Sequence, residues 1–169
     1  MPDLQVPWPA ETGVSATYPM ACHCGAIQWT ITLSPPLLES QSEGKGVYTA
    51  LECDCTHCER KGLIACHPKA KDVVFTQGLV ERCPSSCLWL IGWLTGHGEQ
   101  EHRAQYLCGA RKNPHWFCGL CGSTLGTDLT WLMENVIHVE PRYTINLRML
   151  KDIRPAELQT RPETYMRNH

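Results

Sequence analysis

The sequence predicts a mainly β domain of antiparallel strands with few short helical turns. Short runs in which apolar or β-branched residues alternate with polar ones recur along the chain, and glycine and proline residues separate them. No segment carries an apolar helical stripe over a dozen residues, and 169 residues suffice for one hydrophobic core. Together these observations favour a sheet-based domain over a helical one.

The individual elements follow from these runs in chain order. The alternating segment at residues 26–33 predicts a half-buried strand, which Pro35 and Pro36 end. Further strands are predicted at residues 47–53, 72–77, 103–107, 115–118, 136–139 and 143–147. Short helical turns are predicted at residues 60–64 and 150–158.

Composition divides the chain into three parts. Residues 1–17 contain proline and glycine among polar residues and show no periodicity, so a loosely ordered N-terminal arm is expected there. The domain proper is expected at residues 18–158, and residues 159–169 are assigned to a C-terminal tail. The apolar stretch at residues 88–94 (LWLIGWL) is interpreted as a buried strand, a lid or a self-association surface, with core or a homodimer interface favoured over a lid.

Charge and the absence of targeting signals restrict the function classes. The formal net charge of -2 gives no field that would attract the chain to nucleic acid or to an anionic membrane. Its first residues contain no lysine or arginine and no continuous apolar stretch, so neither a secretory signal nor a transit peptide is expected. The longest apolar run is far shorter than the ~20 residues of a membrane-crossing helix. We therefore expect a soluble, cytoplasmic protein.

The eleven cysteines are the most informative feature of the composition. An odd number of cysteines without an export signal argues against a disulfide framework and favours metal ligands or reactive thiols. One alternative is that closely spaced cysteines are small buried apolar residues whose spacing has no meaning. Seven of the eleven fall into three clusters, Cys22-Cys24, Cys53-Cys55-Cys58 and Cys118-Cys121.

The two outer clusters predict a closed metal site. Thiolates one or two residues apart on a tight turn can reach the same ion, and neighbouring glycines let the backbone fold around it. Structural zinc almost always has four ligands, so two half-sites that are distant in sequence are expected to meet in space. The predicted ligands are Cys22, Cys24, Cys118 and Cys121.

The middle cluster of Cys53, Cys55 and Cys58 has no obvious fourth partner. Three protein ligands and a vacant position are typical of a catalytic zinc, so two zinc ions per chain are expected, one structural and one catalytic. The alternative is that another side chain closes this site as well. The candidates for that ligand are Cys66, His67, Cys83, Cys87 and Cys108.

The order of these motifs resembles a known family. The segments are CHCGAI, then CDCTHCERKG, then Tyr106 ahead of HWFCGLCGSTL, and finally TINLRMLKD. Over about residues 18–154 this order is similar to the glutathione-dependent formaldehyde-activating enzyme family, which includes the centromere protein V proteins. The resemblance implies a β-tent of antiparallel sheets, a structural zinc on the outer cysteine pairs and a catalytic zinc on the triplet near a glutathione site.

The resemblance also implies an activity. A zinc-dependent carbon–sulfur lyase or ligase would act on the glutathione adduct of a small electrophile, with a zinc-bound thiolate as nucleophile or leaving group. Zinc held by three thiolates is a soft centre that favours another sulfur ligand, which agrees with a thiol cosubstrate. The partners expected are glutathione and a small molecule, and the apolar stretch after Gly78, which differs from the family, leaves the electrophile open.

Three residues are predicted to act in catalysis. His57 lies inside the triplet and His67 follows it, and imidazole exchanges protons near neutral pH. The alternative for each histidine is an exposed loop position without a catalytic role. Arg60 is the third candidate, because its bidentate fork suits a carboxylate of the substrate.

The predicted glutathione-binding residues are Arg60, Lys61, Tyr106 and Asn146. The two cations could hold the carboxylates of glutathione, although such a pair is also typical of a solvated turn. Tyr106 and Asn146 stand at positions that the resemblance marks, where a phenol or an amide could orient a ligand. The alternative for both is a strand residue whose side chain satisfies backbone groups.

The sequence also leaves function classes other than this enzyme open. A non-catalytic scaffold or binding module would use both zinc ions for structure, and a fourth protein ligand on the triplet would favour it. A zinc enzyme could also use the metal as a Lewis acid on a small molecule without glutathione. Nucleic-acid binding is disfavoured, since the sequence shows neither a basic face nor interleaved aromatic residues.

Overall fold

The computed structural model describes residues 6–78, 102–107 and 109–163. More of these residues lie in strands than in helices, and the strands form two sheets, so the prediction of a mainly β chain is confirmed. The apolar stretch at residues 88–94 lies outside the described residues, as do Cys83, Cys87 and Cys108.

The strands form a three-stranded and a seven-stranded sheet. In chain order the strands are β1 (Ala16–Ala21), β2 (Gln28–Leu33), β3 (Ala50–Cys53), β4 (Ala65–Cys66), β5 (Val73–Gln77), β6 (Arg103–Tyr106), β7 (His115–Cys118), β8 (Thr124–Asp128), β9 (Tyr143–Asn146) and β10 (Thr160–Glu163). The small sheet has the order β1-β2-β5, and the large sheet has the order β10-β3-β4-β9-β8-β7-β6. Neighbouring strands are antiparallel except β10 and β3, which pair in parallel.

The helices that the structure describes are short. The α-helices are α1 (Thr56–Lys61) and α2 (Thr130–Leu132), and α2 continues into a π-helical turn at Met133–Ile137. The 3₁₀ turns are Glu39–Gln41, Ala70–Asp72, Leu147–Met149 and Pro155–Glu157. Within the described ranges, none of these helices has the length and the apolar character that crossing a membrane requires.

A common core fills the space between the sheets. On β2, Trp29, Ile31 and Leu33 are buried while the alternate residues are partly exposed, as the alternating sequence predicts. Phe75 of β5 makes an edge-to-face contact with Trp116 of β7, and their ring centroids are 6.1 Å apart. Each large side chain buried in this way contributes about 1.5–3 kcal/mol, so the apolar faces of the strands hold the two sheets together.

All the predicted strands except the one at residues 136–139 are confirmed. That prediction is wrong, because the chain forms the π-helical turn at Met133–Ile137 and His138 follows in the left-handed region with a φ of 59°. Val136 and Val139 are 53% and 39% exposed. The two valines that favoured a strand in the sequence therefore have no core to cover.

Both ends of the described chain contact the sheets. In the N-terminal arm, the Trp8 ring lies 4.4 Å from the guanidinium carbon of Arg142, and a carboxylate oxygen of Glu11 lies 2.5 Å from Lys69 Nζ. Residues 160–163, which the sequence assigned to a tail, form β10 and pair with all four residues of β3. The helical turn predicted at residues 150–158 is a 3₁₀ turn at its C-terminal end.

Candidate metal centres

Four cysteine sulfurs converge between the two sheets. Cys22 and Cys24 lie in the turn between β1 and β2, Cys118 ends β7, and Cys121 lies in the turn that follows. The four Sγ atoms all lie within 4.8 Å of one another. The Sγ atoms of Cys22 and Cys24 are 3.5 Å apart, and those of Cys24 and Cys118 are 3.7 Å apart. The predicted meeting of the outer cysteine pairs is confirmed.

These separations fit a tetrahedral zinc ion. With zinc–sulfur bonds of ~2.3 Å, a regular tetrahedron places its sulfur atoms ~3.8 Å apart. The two observed separations agree with this value to within a few tenths of an ångström. Four thiolates in this geometry are the donor set of a closed structural site, so this cluster can hold a metal ion without further ligands.

Each outer cysteine pair lies in the same kind of turn. Gly25 and Gly122 both have a φ of 75°, in the left-handed region that glycine adopts readily. The Gly25 N–H donates to the carbonyl of Cys22 at 2.9 Å, and the Gly122 N–H donates to the carbonyl of Cys118 at 2.8 Å. The Ile27 N–H also donates to Cys22 Sγ at 3.3 Å. These turns reverse the chain so that both sulfurs of a pair face the same point.

Ser123 favours the ionised form of one ligand. Its Oγ accepts a hydrogen bond from the His23 N–H at 3.1 Å and lies 3.2 Å from Cys121 Sγ, to which its hydroxyl can donate. Burial raises the pKa of the Cys121 thiol, but the hydrogen bonds from Ser123, together with those of the Cys24 backbone and the Cys118 side chain, outweigh burial and lower this pKa to about 5. Burial raises the pKa of Cys118 to about 12. An incoming cation therefore meets one thiolate at once and must displace the proton of the buried thiol.

The triplet forms the second sulfur cluster. Cys53 ends β3, Cys55 caps α1 and Cys58 lies in the first turn of that helix. The Cys58 N–H donates to Cys55 Sγ at 3.5 Å, and Gly62 ends α1 in the left-handed region with a φ of 59°. The three Sγ atoms lie within 4.8 Å of one another. Cys55 and Gly62 set the limits of α1. The helix therefore begins and ends earlier in the chain than the turn predicted at residues 60–64.

The triplet has three ligands in the part of the chain that the structure describes. No fourth His, Cys, Asp or Glu side chain among those residues joins the three sulfurs. Cys66 is completely buried in the core, and His67 lines a cavity that neither sulfur cluster lines. A metal ion on these three sulfurs would therefore have room for a ligand from outside the described residues.

Ionisation of the triplet is uneven. Burial raises the pKa of the Cys53 and Cys58 thiols. Burial also tends to raise the pKa of Cys55, but hydrogen bonds from Cys58 and Cys53 outweigh this effect, so the pKa of Cys55 is lowered. Cys55 is therefore the most readily ionised thiol of the triplet.

A cavity of about 340 Å³ opens beside the triplet. Cys53, Cys58, Gly62 and Arg148 contribute to its lining. Arg148 Nε donates a hydrogen bond to the Gly62 carbonyl oxygen, which keeps the guanidinium beside the end of α1. A cation next to an open metal site suits an anionic ligand, such as a carboxylate.

A second cavity, of about 400 Å³, adjoins α1 on the side of His57 and Lys61. Tyr106 at the end of β6 and His115 at the start of β7 also line it. The ring centroids of His57 and His115 are 4.2 Å apart. The rings of His57 and Tyr106 are parallel within 5°, with centroids 6.4 Å apart. The fold thus brings three predicted site residues, His57, Lys61 and Tyr106, to one cavity.

Both histidines of this second cavity are neutral at pH 7. Burial and, to a smaller extent, the charge of Lys61 lower the pKa of His57. Burial and the neighbouring His57 lower the pKa of His115 to about 4. His115 Nδ1 lies 2.8 Å from Thr127 Oγ1, so a hydrogen bond on the neighbouring strand orients the ring.

His67 occupies a different environment from His57. It is 7% exposed and lines a cavity of about 320 Å³ with Trp8, whose ring centroid is 6.1 Å from its own. Its N–H on the main chain donates to Tyr48 Oη at 2.9 Å, and its carbonyl accepts from Arg142 at 2.6 Å. Burial, followed by the charge of Arg142, lowers the pKa of the His67 imidazole to about 4.

Asn146 and Arg60 lie outside the cavities beside α1. Asn146 is 1% exposed, and its Nδ2 donates to the Thr124 carbonyl at 3.0 Å while its Oδ1 accepts from the Arg148 N–H at 3.2 Å. Its amide therefore satisfies backbone groups at the end of β9. Arg60 is exposed on α1 and does not line any of the three described cavities.

Three site residues escaped the sequence predictions. Ser123 follows Cys121 and Gly122 and contacts a ligand sulfur, and serine directly after a cysteine turn could have indicated this role. Arg148 and His115 reach their cavities only through the pairing of strands and turns. No local spacing in the sequence indicates either of them.

Comparisons with known proteins bear on the fold. A crystal structure of a Rhodobacter sphaeroides protein, a target of Northeast Structural Genomics, has a TM-score of 0.55 to this chain at 24% sequence identity. The match covers 87% of this chain and 99% of that protein. No family model matches the sequence, and no curated protein matches it. What the comparisons establish for this chain is therefore a fold shared with that Rhodobacter sphaeroides protein.

Proposed function

We propose that this protein is a zinc-dependent enzyme that makes or breaks a carbon–sulfur bond in a glutathione adduct of a small electrophile. The observation that carries the proposal is the triplet, which has no fourth protein ligand among the described residues and lies beside a cavity. The order of motifs that resembles the glutathione-dependent formaldehyde-activating enzymes supports the same activity. We extend the proposal to the fold and assign the two sheets to a β-tent.

The reaction needs no oxidant or reductant. Zinc on three thiolates would favour a further sulfur ligand and lower the pKa of a thiol bound there. In the bond-forming direction the glutathione sulfur gives an electron pair to the carbonyl carbon of an aldehyde. The carbonyl π pair then moves to the oxygen, which takes up a proton. The lyase direction reverses these transfers and returns the thiol and the aldehyde.

The side chains around α1 have distinct proposed tasks. His57 exchanges the proton with the substrate oxygen, since it adjoins the triplet in the chain and is neutral at pH 7. Arg148 lines the cavity beside the triplet and is placed to bind a carboxylate of glutathione. Lys61 and Arg60, at the end of helix α1, supply further positive charge.

Metal analysis and a ligand titration test the proposal. We expect about two zinc ions per chain in the purified protein and one ion fewer in Cys58→Ser. Glutathione should change the metal–thiolate absorption of the cobalt-substituted protein. S-methylglutathione, which has no ionisable thiol, should leave that absorption unchanged, and Cys58→Ser should abolish the response to glutathione.

Other outcomes would assign the protein to the rival classes. Equal responses to glutathione and to S-methylglutathione would refute direct coordination by the glutathione sulfur. One zinc ion, held by the outer cysteines, would leave a metal-stabilised scaffold or binding module. A loaded triplet that responds to neither compound would favour a Lewis-acid enzyme that acts without glutathione.

A further inference from the structure

The second cavity has the geometry of a slot for a flat group. Its walls are the rings of His57 and Tyr106, which are parallel within 5° and have centroids 6.4 Å apart. A ring inserted between them needs about 7 Å, twice the ~3.5 Å of carbon–carbon contact. Tyr106 is 54% exposed at the end of β6, so its ring has space for the small shift that this requires.

Further rings surround the gap. The His115 centroid lies 4.2 Å from that of His57 and 6.4 Å from that of Tyr106, so His115 flanks the two parallel walls. Trp116 and Phe117 also contribute to the lining. Faces of this kind favour another π system, through offset stacking or edge-to-face contact.

A one-carbon group would leave most of this cavity unfilled. Its volume is about 400 Å³, which lies in the range of sites that enclose a small organic molecule. The hydroxymethyl group that formaldehyde would leave on a thiol offers no surface to the rings. An occupant that uses the slot must therefore carry a flat apolar group.

The slot and the triplet share helix α1. His57 stands between Cys55 and Cys58 in the chain, and one turn of helix rises only ~5.4 Å. The slot and the cavity beside the triplet share no lining residue, so a planar group can occupy the slot only if a chain joins it to the carbon that carries the sulfur.

We propose that the slot formed by His57, Tyr106 and His115 binds the planar part of the electrophile, so that the substrate is the glutathione adduct of an aldehyde that carries an aromatic or conjugated group. This substrate class rests on the proposed function. Lys61, which also lines the slot, would pair with an acidic substituent on the ring. Tyr106 is then a binding residue for the electrophile.

A pair of unreactive probes tests the slot in the absence of any thiol. Naphthylmethanol is planar, and decalylmethanol is its saturated, puckered analogue of similar size. We expect the zinc-loaded protein to bind naphthylmethanol about tenfold more tightly in a calorimetric titration, a difference of ~1.4 kcal/mol. Tyr106→Ala should lose this preference, and Tyr106→Phe, which keeps the ring, should retain it. Trp131→Ala removes an exposed aromatic residue outside the cavity and should change nothing.

The outcomes separate the slot from the proposed function. Equal binding of the two probes, or a preference that survives in Tyr106→Ala at unchanged zinc content, would overturn the slot. If the slot preference is found but glutathione leaves the cobalt–thiolate absorption unchanged, the carbon–sulfur activity fails and the substrate class fails with it. If glutathione coordinates but the protein binds the flat and the puckered probe equally, the activity stands. The proposal that the slot recognises a planar group of the electrophile is then refuted.

Discussion

Replacing Cys118 by serine is expected to destabilise the whole domain, because the four-sulfur centre joins distant parts of the chain. Cys24 and Cys118 are 94 residues apart in sequence and belong to segments of different sheets. If the bound metal acts as a cross-link, the loop-entropy relation for such a separation gives about 4.7 kcal/mol at 25 °C. This is a large part of the ~5–15 kcal/mol that stabilises a domain. The melting temperature should fall by about 10–20 °C.

Circular dichroism during heating, with zinc content measured on the same samples, checks this expectation. Cys58→Ser is the matched control, because it removes a sulfur from a cluster whose ligands all lie within residues 53–58. A cross-link over so short a segment restrains the unfolded chain much less. Both variants should lose one zinc ion, but only Cys118→Ser should melt far below the parent protein. Similar melting temperatures for the two variants would refute the structural role of the outer cysteines.

Three further changes test the core and the predicted site residues. A Cβ at Gly126 would collide with the Thr144 carbonyl oxygen on the neighbouring strand. Gly126→Ala should therefore lower the free energy of unfolding in urea by about 1–3 kcal/mol. Unchanged stability would contradict this close approach of the two strands. His67 has a pKa of about 4 when folded against ~6.5 when unfolded, so the unfolded chain takes up the proton first. Stability should therefore fall by about 3 kcal/mol as the pH drops from ~6.5 to ~4, and His67→Phe should flatten this part of the pH profile of urea unfolding. Asn146→Ala should lower the free energy of unfolding by about 1–3 kcal/mol without weakening glutathione binding, whereas weaker binding at unchanged stability would favour its predicted role as a ligand residue.

The spacing of cysteines predicted the two sulfur clusters because the information is local. Two sulfurs on one turn depend on a few neighbouring residues, including the glycine that reverses the chain after Cys24 and after Cys121. The coordination number of zinc then requires two such turns to meet, even at a separation of 94 residues. The predicted partnership of the outer cysteine pairs followed from chemistry and needed no knowledge of the sheets.

Strands without regular alternation were harder to predict. β1 contains Pro19, β8 contains Gly126, and β4 has only two residues, so none of them shows an extended alternating run. Their strand conformation comes from pairing with neighbours, which the sequence does not display. Conversely, residues 136–139 are rich in β-branched valine and isoleucine but pair with no strand among the described residues, and their first half belongs to a helical turn instead.

The aromatic slot also required the three-dimensional structure. Tyr106 and His115 are directly opposite each other in the β6–β7 hairpin, and α1 brings His57 to them from the large sheet's other half. The sequence predicted His57 and Tyr106 as separate site residues with different tasks. Their parallel rings, and the participation of His115, depend on the register of the hairpin, which no motif specifies.

The parallel pairing of β10 with β3 makes the C-terminal segment the main support of the strand that ends at the triplet. β3 is in register with β10 at four positions but with β4 at one, so the strand that ends in Cys53 is held chiefly from its outer side. The Asp54 N–H extends this contact by donating to the Glu163 carbonyl at 3.2 Å. Proteolytic trimming back to residue 158 would strip this edge and leave the first sulfur of the triplet on a loosely anchored strand. Removal of the C-terminal segment would then lower the metal affinity of the triplet, while the four-sulfur centre stayed intact.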